Sequence, residues 1–233
     1  PKTSAVSIED VMKAAGPYLD QGDEIISFSI SDDMSTSGNV MHMAAAELEA
    51  EDRFHVINSA NLSTGIGLLV IEAAIMAKEG KTSEEIITKI EELKPLVRAS
   101  FVVDTLTYLY RGGRCSGLAA LAGGALKLHP QIIVVDGAMK PAKKYRGNML
   151  HVTLDYVKDM EKAMLNSHKD RVFITHSGSD PKVVQEVYDY LEGLHYFDEI
   201  CITRAGGDVS SHCGYGTLGA LDIANEEARL TCY

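Results

Sequence analysis

Short apolar runs and amphipathic stretches alternate along the first hundred residues. Residues 24–31 and 54–58 are mainly apolar runs bounded by polar turns, a pattern that predicts two buried strands. Helix-forming stretches precede, separate and follow these strands, at residues 7–19, 41–51 and 65–78 and from residue 82 onward. Ser7 and Thr82 are suited to cap the first and last of these helices. Because strands and helices alternate in this order, we expect a parallel sheet with crossover helices.

The pattern changes after residue 98, where we place a domain boundary. A strand (101–106), a short helix (107–114), a small-residue helix (118–128) and a hairpin (131–147) that turns at Asp136-Gly137 are predicted there. A helix (149–167), a strand (171–175), a helix (181–192) and a strand (199–204) complete a second α/β unit, and a Gly-rich then apolar segment follows. The sequence thus predicts a two-domain α/β protein, divided into residues 1–98 and 99–233.

Composition and charge exclude several classes of protein. The 233-residue chain is 45% apolar and 24% charged, as is ordinary for a globular protein. Its formal net charge of −11 argues against a nucleic-acid partner and against a surface that binds anionic membranes through bulk charge. No apolar run approaches the roughly 20 residues that span a bilayer, no signal-peptide pattern is visible, and four cysteines without a CxxC spacing are typical of reduced thiols. We therefore expect a cytoplasmic protein without stable membrane insertion.

The polar loop at residues 32–38 lies between a predicted strand and a predicted helix. In open parallel sheets this is where anions bind, because free backbone N–H groups and the helix dipole favour negative charge there. Ser35 and Ser37 could add neutral hydroxyl donors, although the same residues could simply cap the helix. The sequence contains neither a GxGxxG nor a Walker A pattern, so nucleotide binding has no direct support.

Two further segments could carry chemistry. Arg111 and Arg114 flank a glycine pair. Together with three basic residues of the predicted hairpin, Lys143, Lys144 and Arg146, they could form a basic patch. A helix C-cap with surface arginines beside it would explain the same sequence equally well.

His212 lies in a loop after a strand, where it could donate to an acid group, act as a base or serve only as a loop residue. Ser35 with His212 would suggest an acyl hydrolase, but no GxSxG elbow surrounds the serine. A zinc site at His212-Cys213 is improbable because adjacent residues rarely share one metal, so no metal or other cofactor is expected.

Several short motifs follow one another in the order found in one bacterial family. In chain order they are Thr3-Ser4-Ala5-Val6-Ser7, Ile30-Ser31-Asp32-Asp33-Met34-Ser35-Thr36-Ser37, Val103-Asp104-Thr105-Leu106, Tyr108-Leu109, Arg111-Gly112-Gly113-Arg114, Lys127-Leu128-His129-Pro130, Asp136-Gly137, Lys144-Tyr145-Arg146-Gly147 and His212. The ordered set covers essentially the whole chain and resembles the DegV family of fatty-acid-binding proteins.

This resemblance implies a DegV-like fold, with a parallel sheet in the first domain and a mixed sheet in the second. It implies a long-chain fatty acid in a buried tunnel, with its carboxyl group bound by Thr3 and Ser35 beside Thr36, Ser37 and His212. The apolar segments 65–77 and 118–128 could line this tunnel, although core packing is the simpler account of any one residue in them. The resemblance also implies no catalysis by the protein itself. Instead, a separate fatty-acid kinase would convert the presented acid into an acyl phosphate for phospholipid synthesis. Arg111, Arg114, Lys144 and Arg146 would then face the kinase or the new phosphate.

The chain departs from the family pattern at three places. Ala5-Val6 replaces a Gln-Pro pair, and Thr36-Ser37 replaces a Gly-Thr pair in the polar loop. Both changes lie at the head-group end of the expected tunnel and could alter how the carboxylate is held. Family members also begin with a strand and a polar loop that have no counterpart before Thr3, so we expect the first sheet to lack a strand.

Overall fold

The computed structural model describes residues 2–114 and 128–228. Its first part contains a two-stranded parallel sheet with helices around it. The elements are α1 (Ile8–Leu19), β1 (Ile25–Ser29), α2 (Ser37–Glu47), β2 (Phe54–Asn58), α3 (Thr64–Lys78) and α4 (Ser83–Leu93). β1 and β2 pair in register from Ile25↔Phe54 to Ser29↔Asn58, which confirms the parallel arrangement expected from the alternating pattern.

Side-chain caps start the helices that sequence patterning predicts. The backbone N–H of Asp10 donates to Ser7 Oγ at 3.1 Å at the start of α1. At the start of α4 the backbone N–H of Glu85 donates to Thr82 Oγ1, and the Thr82 backbone N–H donates to the Glu85 carboxylate. This reciprocal pair satisfies two backbone donors that the helix itself leaves unpaired.

The second part is built on a six-stranded mixed sheet. Its strands are β3 (Val97–Val102), β4 (Leu128–Val135), β5 (Ala138–Arg146), β6 (Val172–His176), β7 (Ile200–Arg204) and β8 (Leu218–Ile223), in the order β5-β4-β3-β8-β6-β7. Its helices are α5 (Thr107–Gly112), α6 (Met149–Met164), α7 (Pro181–Gly193) and α8 (Gly207–Cys213). β6 and β7 are parallel, whereas the other pairs in this sheet are antiparallel. The α/β class and the mixed second sheet are therefore as expected.

Strand β8 explains why β3 begins earlier than the sequence predicts. It lies between β3 and β6, antiparallel to both, and it pairs with β3 from Val97↔Ile223 to Val102↔Leu218. This long-range pairing starts β3 at Val97, four residues before the predicted start and one residue before the proposed domain boundary. The predicted small-residue helix at 118–128 falls mostly outside the described residues.

The β4–β5 hairpin brings the second part against the polar loop of the first. Asp136 and Gly137 have φ values of 53° and 80°, the left-handed pair that a tight hairpin turn needs. A Cβ on Gly137 would lie 2.7 Å from Ser31 Oγ, so the turn sits directly against the loop that follows β1. Within the described part of the chain, no helix is both long and apolar enough to cross a bilayer.

Candidate functional site

A cavity of about 620 Å³ opens between the polar loop after β1, the N-terminal residues and helix α8. We call it the cleft. It is lined by every residue expected around the ligand's carboxyl group, namely Thr3, Ser35, Thr36, Ser37 and His212. The fold therefore brings together residues up to 209 positions apart in the chain. Their role as ligand contacts stays a prediction, but their convergence on one cavity is a structural fact.

The serines occupy the turn that connects β1 to α2. The backbone N–H groups of Met34 and Ser35 donate to the Ser31 carbonyl at 2.9 and 3.1 Å, which closes the turn. The Ser37 backbone N–H donates to Ser35 Oγ at 3.2 Å, and the Ser35 and Ser37 hydroxyl oxygens are 2.9 Å apart. Ser35 therefore holds the first residue of α2, although the N-cap itself is Thr36, which makes no side-chain capping bond among the described residues, and Ser35 also lines the cleft. The capping interpretation and the binding interpretation are compatible.

Thr3 and His212 form the opposite side of this polar surface. Thr3 Oγ1 lies 2.8 Å from His212 Nε2. His212 Nδ1 is buried and has no hydrogen-bond partner among residues 2–114 and 128–228. Burial lowers the pKa of His212, the nearby charge of Arg114 lowers it further, and Asp208 acts in the opposite direction. The ring is therefore neutral near pH 7. We call Thr3, Ser35, Ser37 and His212 the polar wall.

Helix α8 was missed by sequence reasoning, which placed His212 in a loop. The sequence of Gly207–Cys213 has few strong helix formers, so no local signal announces a helix there. The helix packs against α5, and this tertiary contact holds it in place. It brings two further residues to the cleft, Asp208 and Val209, which nothing in the sequence singled out.

Arg114 lies in the cleft instead of on an open surface. Its Nε donates to the Met34 carbonyl at 3.3 Å and its Nη1 donates to the Gly112 carbonyl at 2.6 Å. The side chain thus ties the end of α5 to the turn that carries Ser35. The other three residues predicted to face a partner, Arg111, Lys144 and Arg146, are exposed.

Below the cleft is a smaller apolar cavity of about 30 Å³, the inner pocket. It shares Leu62, Ser63, Val209 and Cys213 with the cleft, and so the two cavities adjoin. Its base is formed by Ala99 and Phe101 of β3 and by Gly219 and Leu221 of β8, which we call the apolar floor.

Four hydroxyl residues line the inner pocket, namely Ser63, Thr175, Ser177 and Thr217, and the side chains of the last three are hydrogen-bonded within the protein. Thr175 Oγ1 lies 2.5 Å from Thr64 Oγ1 and 2.9 Å from Thr203 Oγ1, and Thr217 Oγ1 donates to the Cys213 carbonyl at 2.9 Å. Ser177 Oγ donates to the Gly214 carbonyl. These three hydroxyl groups therefore make little demand on a ligand, and the pocket has room for a small apolar group such as the end of a hydrocarbon chain.

The expected tunnel lining is only partly visible. Within residues 65–77 only Ile66 lines the cleft, while Leu68, Leu69 and Ala73 are buried in the core. Residues 118–127 of the second predicted lining segment lie outside the described residues.

The hydrogen bonds around the polar wall bear on the hydrolase alternative. Ser35 bonds to Ser37, whereas His212 Nε2 bonds to Thr3. A serine nucleophile needs its base within hydrogen-bond reach. The described contacts pair the serine and the histidine with other residues, so they give that alternative no support.

Comparison with known proteins agrees with this architecture. Residues 1–225 match the family described as "Uncharacterised protein, DegV family". A DegV domain-containing protein of Clostridium perfringens is 31% identical over 231 residues, covering 97% of this chain and 78% of that protein. A Thermotoga maritima relative named "Fatty acid-binding protein" is 27% identical over 222 residues, covering 94% of this chain and 76% of its own.

A solved structure of a fatty-acid-binding DegV family protein from Thermus thermophilus superposes with a TM-score of 0.87 at 27% identity. It covers 97% of this chain and 79% of its own. The match along nearly the whole sequence and the shared fold lead to one conclusion: this chain belongs to the DegV family.

Proposed function

We propose that this protein binds a long-chain fatty acid, with the carboxylate at the polar wall and the acyl chain directed toward the inner pocket. The observation that carries the proposal is the position of Thr3, Ser35 and His212 around one cleft that adjoins an apolar pocket. The names of the relatives from Thermotoga maritima and Thermus thermophilus, which describe fatty-acid binding, support it. In this proposal the protein is a binding protein and not an enzyme.

The energetics of such a ligand fit the two cavities. Transfer of a methylene group from water to an apolar site is favourable by about 0.8 kcal/mol, so a long acyl chain supplies most of the affinity. A carboxylate that leaves water must be hydrogen-bonded to avoid a large penalty. Hydroxyl donors from Thr3 and Ser35 meet this need without a salt bridge that would have to break before the carboxylate reacted.

The cleft also carries acidic groups, and these restrict where a carboxylate can lie. Asp32, Asp33 and Asp208 all line it. Asp32 accepts a hydrogen bond from Asn58 Nδ2 at 2.8 Å, which turns one carboxylate oxygen toward β2. Arg114 supplies positive charge on the side of Met34 and Ser35. The carboxylate of a fatty acid is therefore best placed between Thr3 and Ser35, away from these three acidic side chains.

The finer part of the proposal concerns what happens to the bound acid. A separate fatty-acid kinase would approach the exposed carboxylate, whose oxygen would attack the terminal phosphorus of ATP and release ADP, giving an acyl phosphate. Arg111, Lys144 and Arg146 are exposed and would contact that kinase or the new phosphate. Arg114, which hydrogen-bonds the protein's own carbonyls, would position the site and remain close to the reacting group.

Lipid binding is tested first by organic extraction of the purified protein followed by mass spectrometry, and by calorimetric titration with hexadecanoic acid. Ser35→Ala and Thr3→Val should each weaken hexadecanoate binding by on the order of ten-fold, because each removes a donor to a charged acceptor. Ser211→Ala is the matched control, since Ser211 does not line the cleft and its hydroxyl donates to the Gly207 carbonyl of its own helix. An unchanged affinity in both site variants would contradict the assignment.

Presentation to a kinase is tested separately with Arg111→Glu. This variant should retain hexadecanoate affinity but lose kinase-dependent formation of acyl phosphate. Lys13→Glu, an equal charge reversal at an exposed position on α1, should leave both measurements unchanged. If Arg111→Glu lost lipid binding and phosphorylation together, the residue would belong to the folded structure and not to a partner surface.

A further inference from the structure

Gly112, the last residue of α5, lies directly against the imidazole ring of His212. A Cβ at this position would be 2.3 Å from His212 Nδ1 and 3.0 Å from Cε1. Contacts this short cannot be accommodated unless the ring moves. The glycine is therefore required for space, so that α5 and α8 can approach each other at this point.

The surroundings of the ring decide which nitrogen carries the proton. Nδ1 is buried against Gly112 and has no hydrogen-bond partner among the described residues. Nε2 lies 2.8 Å from Thr3 Oγ1. A neutral imidazole has one N–H group, and a buried N–H without an acceptor is costly. The proton therefore belongs on Nε2, which donates it to Thr3 Oγ1.

This tautomer determines what Thr3 can offer. Once Thr3 Oγ1 accepts from His212, the threonine proton is free to point into the cleft.

Gly112 is also linked to the part of the polar wall that contains Ser35. Its carbonyl accepts from Arg114 Nη1 at 2.6 Å, and Arg114 Nε donates to the Met34 carbonyl, next to Ser35.

We propose that Gly112 is a positioning residue for head-group recognition. It holds His212 as an Nε2–H donor, and His212 in turn presents Thr3 as an obligate donor that selects an ionised carboxylate. A hydrogen bond to a charged acceptor is roughly twice as strong as one to a neutral acceptor, so the arrangement favours fatty acids over fatty alcohols. This inference rests on the proposed fatty-acid function and names its head-group specificity.

The first test compares two ligands on two glycine variants. Gly112→Ala should weaken binding of hexadecanoate by on the order of ten-fold and that of hexadecanol by less than about three-fold, since the alcohol offers no charged acceptor. Gly16→Ala is the matched control, because a Cβ at that helical position meets nothing within 4 Å. It should leave both affinities unchanged. Equal affinities of wild type and Gly112→Ala for hexadecanoate would overturn the proposal.

The second test begins with a measurement on wild type, which does not depend on the folding of a variant. Nitrogen-15 NMR of histidine-labelled wild type near pH 7 should show His212 with its proton on Nε2 and a bare Nδ1. A proton on Nδ1 would overturn the proposal. His212→Gln, which keeps an N–H donor, should retain more hexadecanoate affinity than His212→Leu, and equal losses would also count against it.

Failure of the broader function would be recognised separately. If wild type bound no hexadecanoate, the proposed function would fall, whatever the tautomer. If wild type bound it but the tautomer or the Gly112→Ala result was contrary, only this inference would fall.

Discussion

The polar wall and the apolar floor lie on neighbouring cavities but are held by different parts of the fold. The wall comes from the N-terminal residues, the turn after β1 and the short helix α8, and its members are joined by side-chain hydrogen bonds. The floor comes from β3 and β8 at the centre of the six-stranded sheet, where Ala99, Phe101 and Leu221 are at most 6% exposed. Changes in the floor should therefore cost stability, and changes in the wall should cost affinity.

The largest loss of stability is expected when the buried ion pair beside the apolar floor is broken. Arg98 Nε and Asp222 Oδ1 are 2.7 Å apart on β3 and β8, and both side chains are 3% exposed. The two terminal guanidinium nitrogens of Arg98 have no other hydrogen-bond partner within the described chain. Asp222→Ala would leave this charge buried and uncompensated, which should lower the free energy of unfolding by about 3–5 kcal/mol. Denaturant titration measures the loss.

An exposed ion pair provides the control for this prediction. Lys89 and Glu92 are 3.3 Å apart on α4, with side chains 44% and 60% exposed. Glu92→Ala should therefore cost no more than about 1 kcal/mol. If Asp222→Ala cost as little as Glu92→Ala, the sheet centre would not be the dry, rigid base that the comparison assumes.

The second-largest loss of stability is expected from a substitution in the apolar floor itself. A Cβ on Gly219 would lie 2.5 Å from the Ser100 carbonyl oxygen and 2.9 Å from Phe101 Cβ, and the backbone oxygen cannot turn aside. Gly219→Ala should therefore lower the free energy of unfolding by about 1–3 kcal/mol, measured by thermal or denaturant unfolding. Gly193→Ala, at the end of α7 with nothing within 4 Å, is the control and should be neutral or stabilising. A neutral Gly219→Ala would show that the two strands can separate at little cost.

The wall and the floor also differ in how far the sequence could predict them. Ser35 and Ser37 follow a strand and precede a helix, so local patterning alone identified them as a possible anion site. Thr3 and His212 were joined to that site only by the family resemblance. The contact itself spans 209 residues and depends on α8, which has no local sequence signal.

The floor was beyond sequence reasoning for a physical reason. Gly219 and Leu221 belong to an apolar segment whose neighbours in the sheet are fixed by pairing across more than a hundred residues. Strand existence follows from local composition, as with β2, which was predicted with the correct ends. Strand order follows from the global packing of helices and sheet, and no short segment encodes it.

Binding affinities for a series of saturated fatty acids would distinguish the contribution of the polar wall from that of the apolar floor. In wild type each added methylene should improve binding by about 0.8 kcal/mol, or about four-fold, until the chain fills the cleft and the inner pocket. Ser35→Ala should weaken all acids by the same factor, because it changes only the head-group contact. Val209→Phe, at the junction of cleft and inner pocket, should end the gain at a shorter chain. Calorimetric titration with acids from decanoate to octadecanoate measures the affinities of both variants. If Val209→Phe weakened the binding of all acids by the same factor, the proposed path of the chain would be contradicted.

The smallest effect is a difference in thiol reactivity that reports on the floor without altering it. Burial raises the pKa of Cys213 to about 12, and this thiol is 5% exposed where the cleft meets the inner pocket. Cys201 is only partly buried, and its pKa is raised by burial and by Glu199. Because the thiolate is the reactive form, iodoacetamide at pH 8 should modify Cys213 more slowly than Cys201, and bound hexadecanoate should slow it further. Peptide mass spectrometry gives the modification rate of each cysteine. In denaturant, where both thiols are exposed, the two rates should be alike. Native Cys213 reacting as fast as Cys201 would mean that the floor is open to water, and the contrast between a hydrogen-bonded wall and a closed floor would not hold.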